Sequence, residues 1–205
     1  MTEAQAERGA AWQTFMSEPA SYVADDRLAI TLGGEVGPSL AKHLRGCGRL
    51  TARVSALIIQ RGGLPAPIEP EELGADDRKI ATASPDQLTS IVLRAGAILW
   101  SGAIANAVRG REVAAIEAAL GAELRSFAIE HRTPGGLDRT LEPFDTLKQR
   151  VMEDGWRCYV GWCEAMPPAV GLRARMKMPG DPDPVAGDAA LYSSVGPAIL
   201  RLAAV

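Results

Sequence analysis

Residues 84–131 read SPDQLTSIVLRAGAILWSGAIANAVRGREVAAIEAALGAELRSFAIEH, and this stretch decides the fold class. Ser84-Pro85-Asp86-Gln87 is a helix start: Ser84 can cap, Pro85 suits the first helical position, and Gln87 can complete a capping box. The spacing predicts a helix from there to about Arg109, ended by Gly110. Its line of Val92, Gly96, Leu99 and Ala103 is apolar and partly small, so a second helix can approach closely. A further helix is expected over 111–131, where Val113, Ile116, Leu120, Leu124 and Phe127 recur at the spacing of one buried face. Gly121 is positioned to bend or split it.

The same pattern continues on both sides. Towards the amino terminus, 3–17 reads as a helix closed by Pro19, with Trp12, Phe15 and Met16 on one side, and 38–60 as a helix broken near Gly46 and Gly48. Towards the carboxyl terminus, a long helix is expected over 143–166, with Leu147, Val151, Cys158 and Trp162 in line. A short one follows over 169–178, then a turn-rich loop at 180–187 and a last helix over 188–203 kinked near Gly196-Pro197. Leu28, Ile30 and Leu32 alternate within 26–33, which allows one short peripheral strand before Gly33-Gly34 stops it. Thr133–Gly136 reads as a loop. The expectation is an all-α, irregular multi-helix bundle.

Residues 63–83 differ in composition. Pro65, Pro67 and Pro70 with Glu69, Glu71, Glu72, Asp76 and Asp77 make an acidic, proline-rich loop. A single domain over 1–205 is expected, with this loop as the candidate junction between an amino-terminal part, 1–62, and a carboxyl-terminal part, 84–205.

Composition narrows the function classes. At 47% hydrophobic and 23% charged residues the chain can bury a core. A formal net charge of −3 counts against nucleic-acid binding, which works by releasing counterions from phosphates onto a basic face. The longest uncharged apolar stretch, Ala95–Val108, falls short of the ~20 residues a membrane span needs. The amino terminus is polar and acidic, unlike a signal peptide. Three cysteines, Cys47, Cys158 and Cys163, are an odd count for a disulfide scaffold and suit a reducing cytoplasm.

Chemistry-bearing motifs are scarce. His43 and His131 lie in no metal-binding pattern, and the spacing of Cys158 and Cys163 is not that of a zinc or redox pair. No phosphate loop, dinucleotide fingerprint or nucleophile elbow is present, so no catalytic residue, cofactor or metal is expected. Trp156, Tyr159 and Trp162 read as core packing first and a partner-binding face second. Arg173, Arg175 and Lys177 read as a solvated basic helix or as a contact for an acidic partner. With Glu69, Glu71 and Glu72 they are the candidate partner-binding residues.

Two segments resemble a known family. Residues 151–179, VMEDGWRCYVGWCEAMPPAVGLRARMKMP, combine an Asp-Gly-Trp start, prolines after the helix and a closing Arg-x-Arg-Met-Lys-Met-Pro. Residues 96–129 run from an apolar helix through a short basic stretch to Val113, Ile116, Leu120 and Gly121. Together they resemble the SctK (YscK-like) family of type III secretion proteins over about residues 88–179, with Met176 and Met178 where the family usually has leucine. The resemblance implies an all-helical, non-enzymatic adaptor of the cytoplasmic sorting platform. It would link the inner-membrane ring protein SctD to the pod protein SctQ, and through it SctL and the ATPase SctN. Its implied location is the cytoplasm, peripheral at the inner membrane when assembled. A small helical enzyme or ligand carrier is the alternative from the residues alone, and a helical nucleic-acid-binding regulator the third.

Overall fold

The computed structural model describes residues 3–33, 37–132, 139–180 and 189–205. Gly34 and the loops expected at 133–136 and 181–187 lie outside the described residues. Among the described residues there are twelve α-helices and no strand, so the chain is all-α. It divides into two compact units, Met1–Pro85 with Cys163–Asp183, and Asp86–Trp162 with Pro184–Val205.

The first unit contains α1 (Glu3–Ser17), α2 (Asp25–Thr31), α3 (Pro38–Gly46), α4 (Thr51–Arg61) and α5 (Ala75–Thr82). Trp12, Phe15 and Met16, on one side of α1, are buried, and Tyr22 stacks on Phe15 with ring centroids 5.4 Å apart. A second cluster gathers Ala20, Val23, Leu28, Ala29, Ala41, Val54, Ile58 and Leu64. Burying a side chain such as Ile58 contributes about 1.5–3 kcal/mol.

The alternation at 26–33 does not make a strand. Asp25 and Asp26 sit in the first turn of α2, where acidic side chains favour a helix. Leu28 and the adjacent Ala29 are buried while Ile30 is 70% exposed, so burial follows the helix rather than the alternation. The break near Gly46 and Gly48 is present as a 3-10 turn, Gly48–Leu50, between α3 and α4. Residues 63–83 are more ordered than a loop. Pro70–Glu72 forms a 3-10 turn, α5 follows, and Leu64, Leu73, Ile80, Ala81 and Ala83 are buried within the first unit.

The second unit contains α6 (Pro85–Leu99), α7 (Ser101–Asn106), α8 (Gly110–Leu120), α9 (Ala122–Glu130), most of α10 (Leu147–Ala165) and, after α11 (Pro168–Arg175) of the first unit, α12 (Ala189–Ala203). The expected line Leu147, Val151, Cys158 and Trp162 is wholly buried. The single helix read over 85–109 is instead two, parted at Trp100. Gly121, with φ of 90°, parts α8 from α9 in the left-handed region that glycine tolerates. This is why Ile116 and Leu120 are buried while Leu124 and Phe127 are only half-buried.

Small residues set the packing. A Cβ on Gly96 of α6 would collide with the Val151 carbonyl of α10, and one on Gly155 of α10 with the Val92 carbonyl of α6. Gly161 and Gly196 make the same kind of approach between α10 and α12. Pro197 lies inside α12, which remains helical through it.

Candidate functional site

Among the described residues, each unit holds a buried polar centre built on a charged side chain. In the first unit, α11 and the turn after it carry Arg173, Arg175 and Lys177. Arg173 is 1% exposed; its Nε donates to Met16 O at 2.9 Å and a terminal nitrogen donates to Ala169 O at 2.8 Å. Lys177 is also buried. Its Nζ donates to Ala81 O at 2.6 Å and Ala83 O at 2.8 Å, and lies 5.0 Å and 5.1 Å from the ring centres of Phe15 and Tyr22. Those carbonyls end α5, where acceptors lack helical partners and the helix dipole is negative. Burial pushes the Lys177 pKa down to about 7, with Cys163 pulling weakly the other way. Burial raises the Tyr22 phenol, against the charge of Arg173, and lowers Arg173, against Tyr22.

The exposed basic helix read from the sequence is therefore absent. Arg173 and Lys177 point inward and hold α1, α5 and α11 together, so they are not available to a partner's carboxylates or to phosphates; Arg175 alone of the three is half-buried. The acidic trio behaves differently. Glu69, Glu71 and Glu72 are exposed around the Pro70–Glu72 turn, and Glu72 accepts the Glu69 N–H at 3.1 Å.

In the second unit the centre is Asp154, 2% exposed, the first residue of the Asp-Gly-Trp motif. It accepts from the Trp100 indole at 2.8 Å, the Tyr192 hydroxyl at 2.6 Å and Arg157 at 2.6 Å, and pairs with Arg139 at 3.3 Å. Arg139 also donates to the Tyr192 hydroxyl at 2.8 Å. Burial, with the hydrogen bond and charge of Asp154, raises the Tyr192 phenol, against Arg139 and Arg157. One signal did exist. Asp154 falls three residues after Val151 and four before Cys158, which puts a carboxylate on the buried face of α10.

The remaining candidates do not converge on chemistry. Cys158 is fully buried, and burial with the charge of Asp154 raises its pKa and keeps it a neutral thiol. Tyr159 and Trp162 are fully buried and stacked, so these two aromatics are core, and the half-buried Trp156 lies edge-on to Tyr159. His43 lines an open depression with Ser39, Lys42, Gly46 and Cys47. His131 caps α9, its Nδ1 3.0 Å from Phe127 O. Among the described residues no group of three histidine, cysteine or acidic side chains is placed to hold a metal, and no helix is long and apolar enough to cross a membrane.

The family model described as YOP proteins translocation protein K (YscK) matches residues 10–190. The chain belongs to the YscK family. It is thus a type III secretion protein, of an accessory family rather than a known enzyme family. No curated protein and no solved structure matches the chain. The residues that carried the YscK resemblance now have physical roles. Asp154 is the buried carboxylate, Gly155 permits the approach of α6, and Arg173, Lys177 and Met178 are interior.

Proposed function

We propose that the protein is a non-enzymatic adaptor of the cytoplasmic sorting platform. It joins the cytoplasmic domain of the SctD inner-membrane ring protein to the SctQ pod protein, and through SctQ to SctL and the SctN ATPase. It works peripherally at the cytoplasmic face of the inner membrane. The observation that supports this reading most is membership of the YscK family across residues 10–190. The structure is compatible with it: the strongest polar constellations are spent on internal bonds at Lys177 and Asp154, and the acidic turn at Glu69, Glu71 and Glu72 remains exposed.

The test is co-purification of the full chain with the SctQ homologue and the SctD cytoplasmic domain of the same genome, with masses read by light scattering. A defined complex with each, stable in moderate salt, is expected. Folded proteins that form neither complex would end the adaptor reading.

A further inference from the structure

Residues 139–143 are fastened to the second unit by two arginines. Arg139 reaches inward from the segment, pairing with Asp154 at 3.3 Å and donating to the Tyr192 hydroxyl at 2.8 Å. Arg150 reaches outward from α10. Its terminal nitrogens donate to the carbonyl oxygens of Thr140 at 2.7 Å, Leu141 at 2.6 Å and Pro143 at 2.7 Å. The guanidinium carbons of Arg139 and Arg150 lie 6.0 Å and 5.0 Å from the ring centre of Trp100, which is 2% exposed.

Little else holds the segment. Thr140, Glu142 and Pro143 are exposed, and Leu141 is half-buried. Among the described residues, Thr140, Leu141 and Glu142 make no backbone-to-backbone hydrogen bond. Beyond Pro143 the chain is anchored. The 3-10 turn Phe144–Thr146 lies against α8, and α10 begins at the wholly buried Leu147. Ordering an irregular segment costs conformational entropy at every residue. The return here is a few charge-assisted bonds, whose worth is reduced by the hydration that guanidinium and carbonyl groups give up. The helix beneath is held by the buried line Leu147, Val151, Cys158 and Trp162. Segment and helix therefore open at different free energies, the segment first.

We propose that residues 139–143 form a strap, latched by Arg139 and Arg150 beside Trp100, that opens while α10 stays helical. Opening withdraws Arg139 from Asp154 and Tyr192 and leaves Arg157 bonded to the Asp154 carboxylate. It also frees the terminal nitrogens of Arg150 next to the indole ring.

The test is native-state digestion of the full chain with trypsin, read by mass spectrometry on chains still intact at Arg132. Trypsin must seat the Arg139 side chain in its own pocket, so the bond after Arg139 is cut only when the latch is undone. The bond after Arg157, inside α10, is cut only when that helix unfolds. Each rate is divided by that of the same bond in a synthetic peptide. In the unaltered chain, cleavage after Arg139 is expected to be at least about tenfold faster than after Arg157. Arg150→Met, checked by circular dichroism for unchanged helix content, is expected to speed cleavage after Arg139 by about fivefold or more and to leave cleavage after Arg157 within about twofold. Equal rates at the two bonds of the unaltered chain overturn the strap, and that comparison decides the matter even where the variant does not fold. A folded variant in which both bonds, or neither, are cut faster overturns it as well. Neither SctQ nor SctD enters the digestion, so the adaptor reading is tested separately.

Discussion

Lys177 and Asp154 are both ionisable groups taken almost wholly out of water, and the two units hold them by opposite means. Lys177 meets neutral acceptors, two carbonyl oxygens and two ring faces. Asp154 meets two guanidinium groups as well as a phenol and an indole. An ion among neutral dipoles keeps much of its desolvation cost, and its charge becomes negotiable near neutral pH. An ion among opposite charges is compensated, and the cost moves to whichever partner is left behind when one is removed. The first arrangement makes stability depend on pH; the second makes it depend on every member being present.

The largest expected effect tests the second arrangement. Asp154→Ala strands Arg139, Arg157, the Tyr192 hydroxyl and the Trp100 indole, and is expected to lower unfolding free energy in urea by about 3–5 kcal/mol. Asp154→Asn, which keeps an acceptor, should cost less. Equal losses would mean that charge plays no part. Next comes Arg173→Met. It removes the charged donor from Met16 O and Ala169 O and is expected to cost about 2–3 kcal/mol in the same assay. A neutral result would show that these carbonyls find water.

The comparison is sharpest in its pH dependence. The folded pKa of Lys177 is about 7, below the ordinary 10.5, so between these values the unfolded chain binds more protons than the folded one. The contribution of Lys177 to stability therefore rises with pH across about 7 to 10.5, by up to about 1.4 kcal/mol per unit. Urea melts at several pH values should show this slope, and Lys177→Met should flatten it; a slope unchanged in the variant would assign it to other groups. The smallest effect is at the surface. Glu71→Lys should change stability by no more than about 0.5 kcal/mol, because the side chain is exposed. A larger loss would show that the acidic turn belongs to the fold.

The helices were legible where periodicity and punctuation agreed. Leu147, Val151, Cys158 and Trp162 marked α10, and Pro167-Pro168 its stop. Seven residues at α2 fit either period, and only the burial of Leu28 and Ala29 beside exposed Ile30 decides for helix. The break at Trp100 was invisible, since the apolar run continues through it. The site residues were harder. Charges at Arg173 and Lys177 suggest solvent, and nothing local reveals the carbonyls of Met16, Ala81 and Ala83 that receive them, 94 to 157 residues away along the chain.

The interleaving of the units has a consequence for synthesis. The first unit is completed only by Cys163–Asp183, which bring Arg173 and Lys177, so Asp86–Trp162 must leave the ribosome first. At about 5–20 residues per second, the amino-terminal helices wait several seconds or longer with the carbonyls of Met16, Ala81 and Ala83 unclaimed. The nascent chain thus holds residues 1–85 open until residues 163–183 arrive.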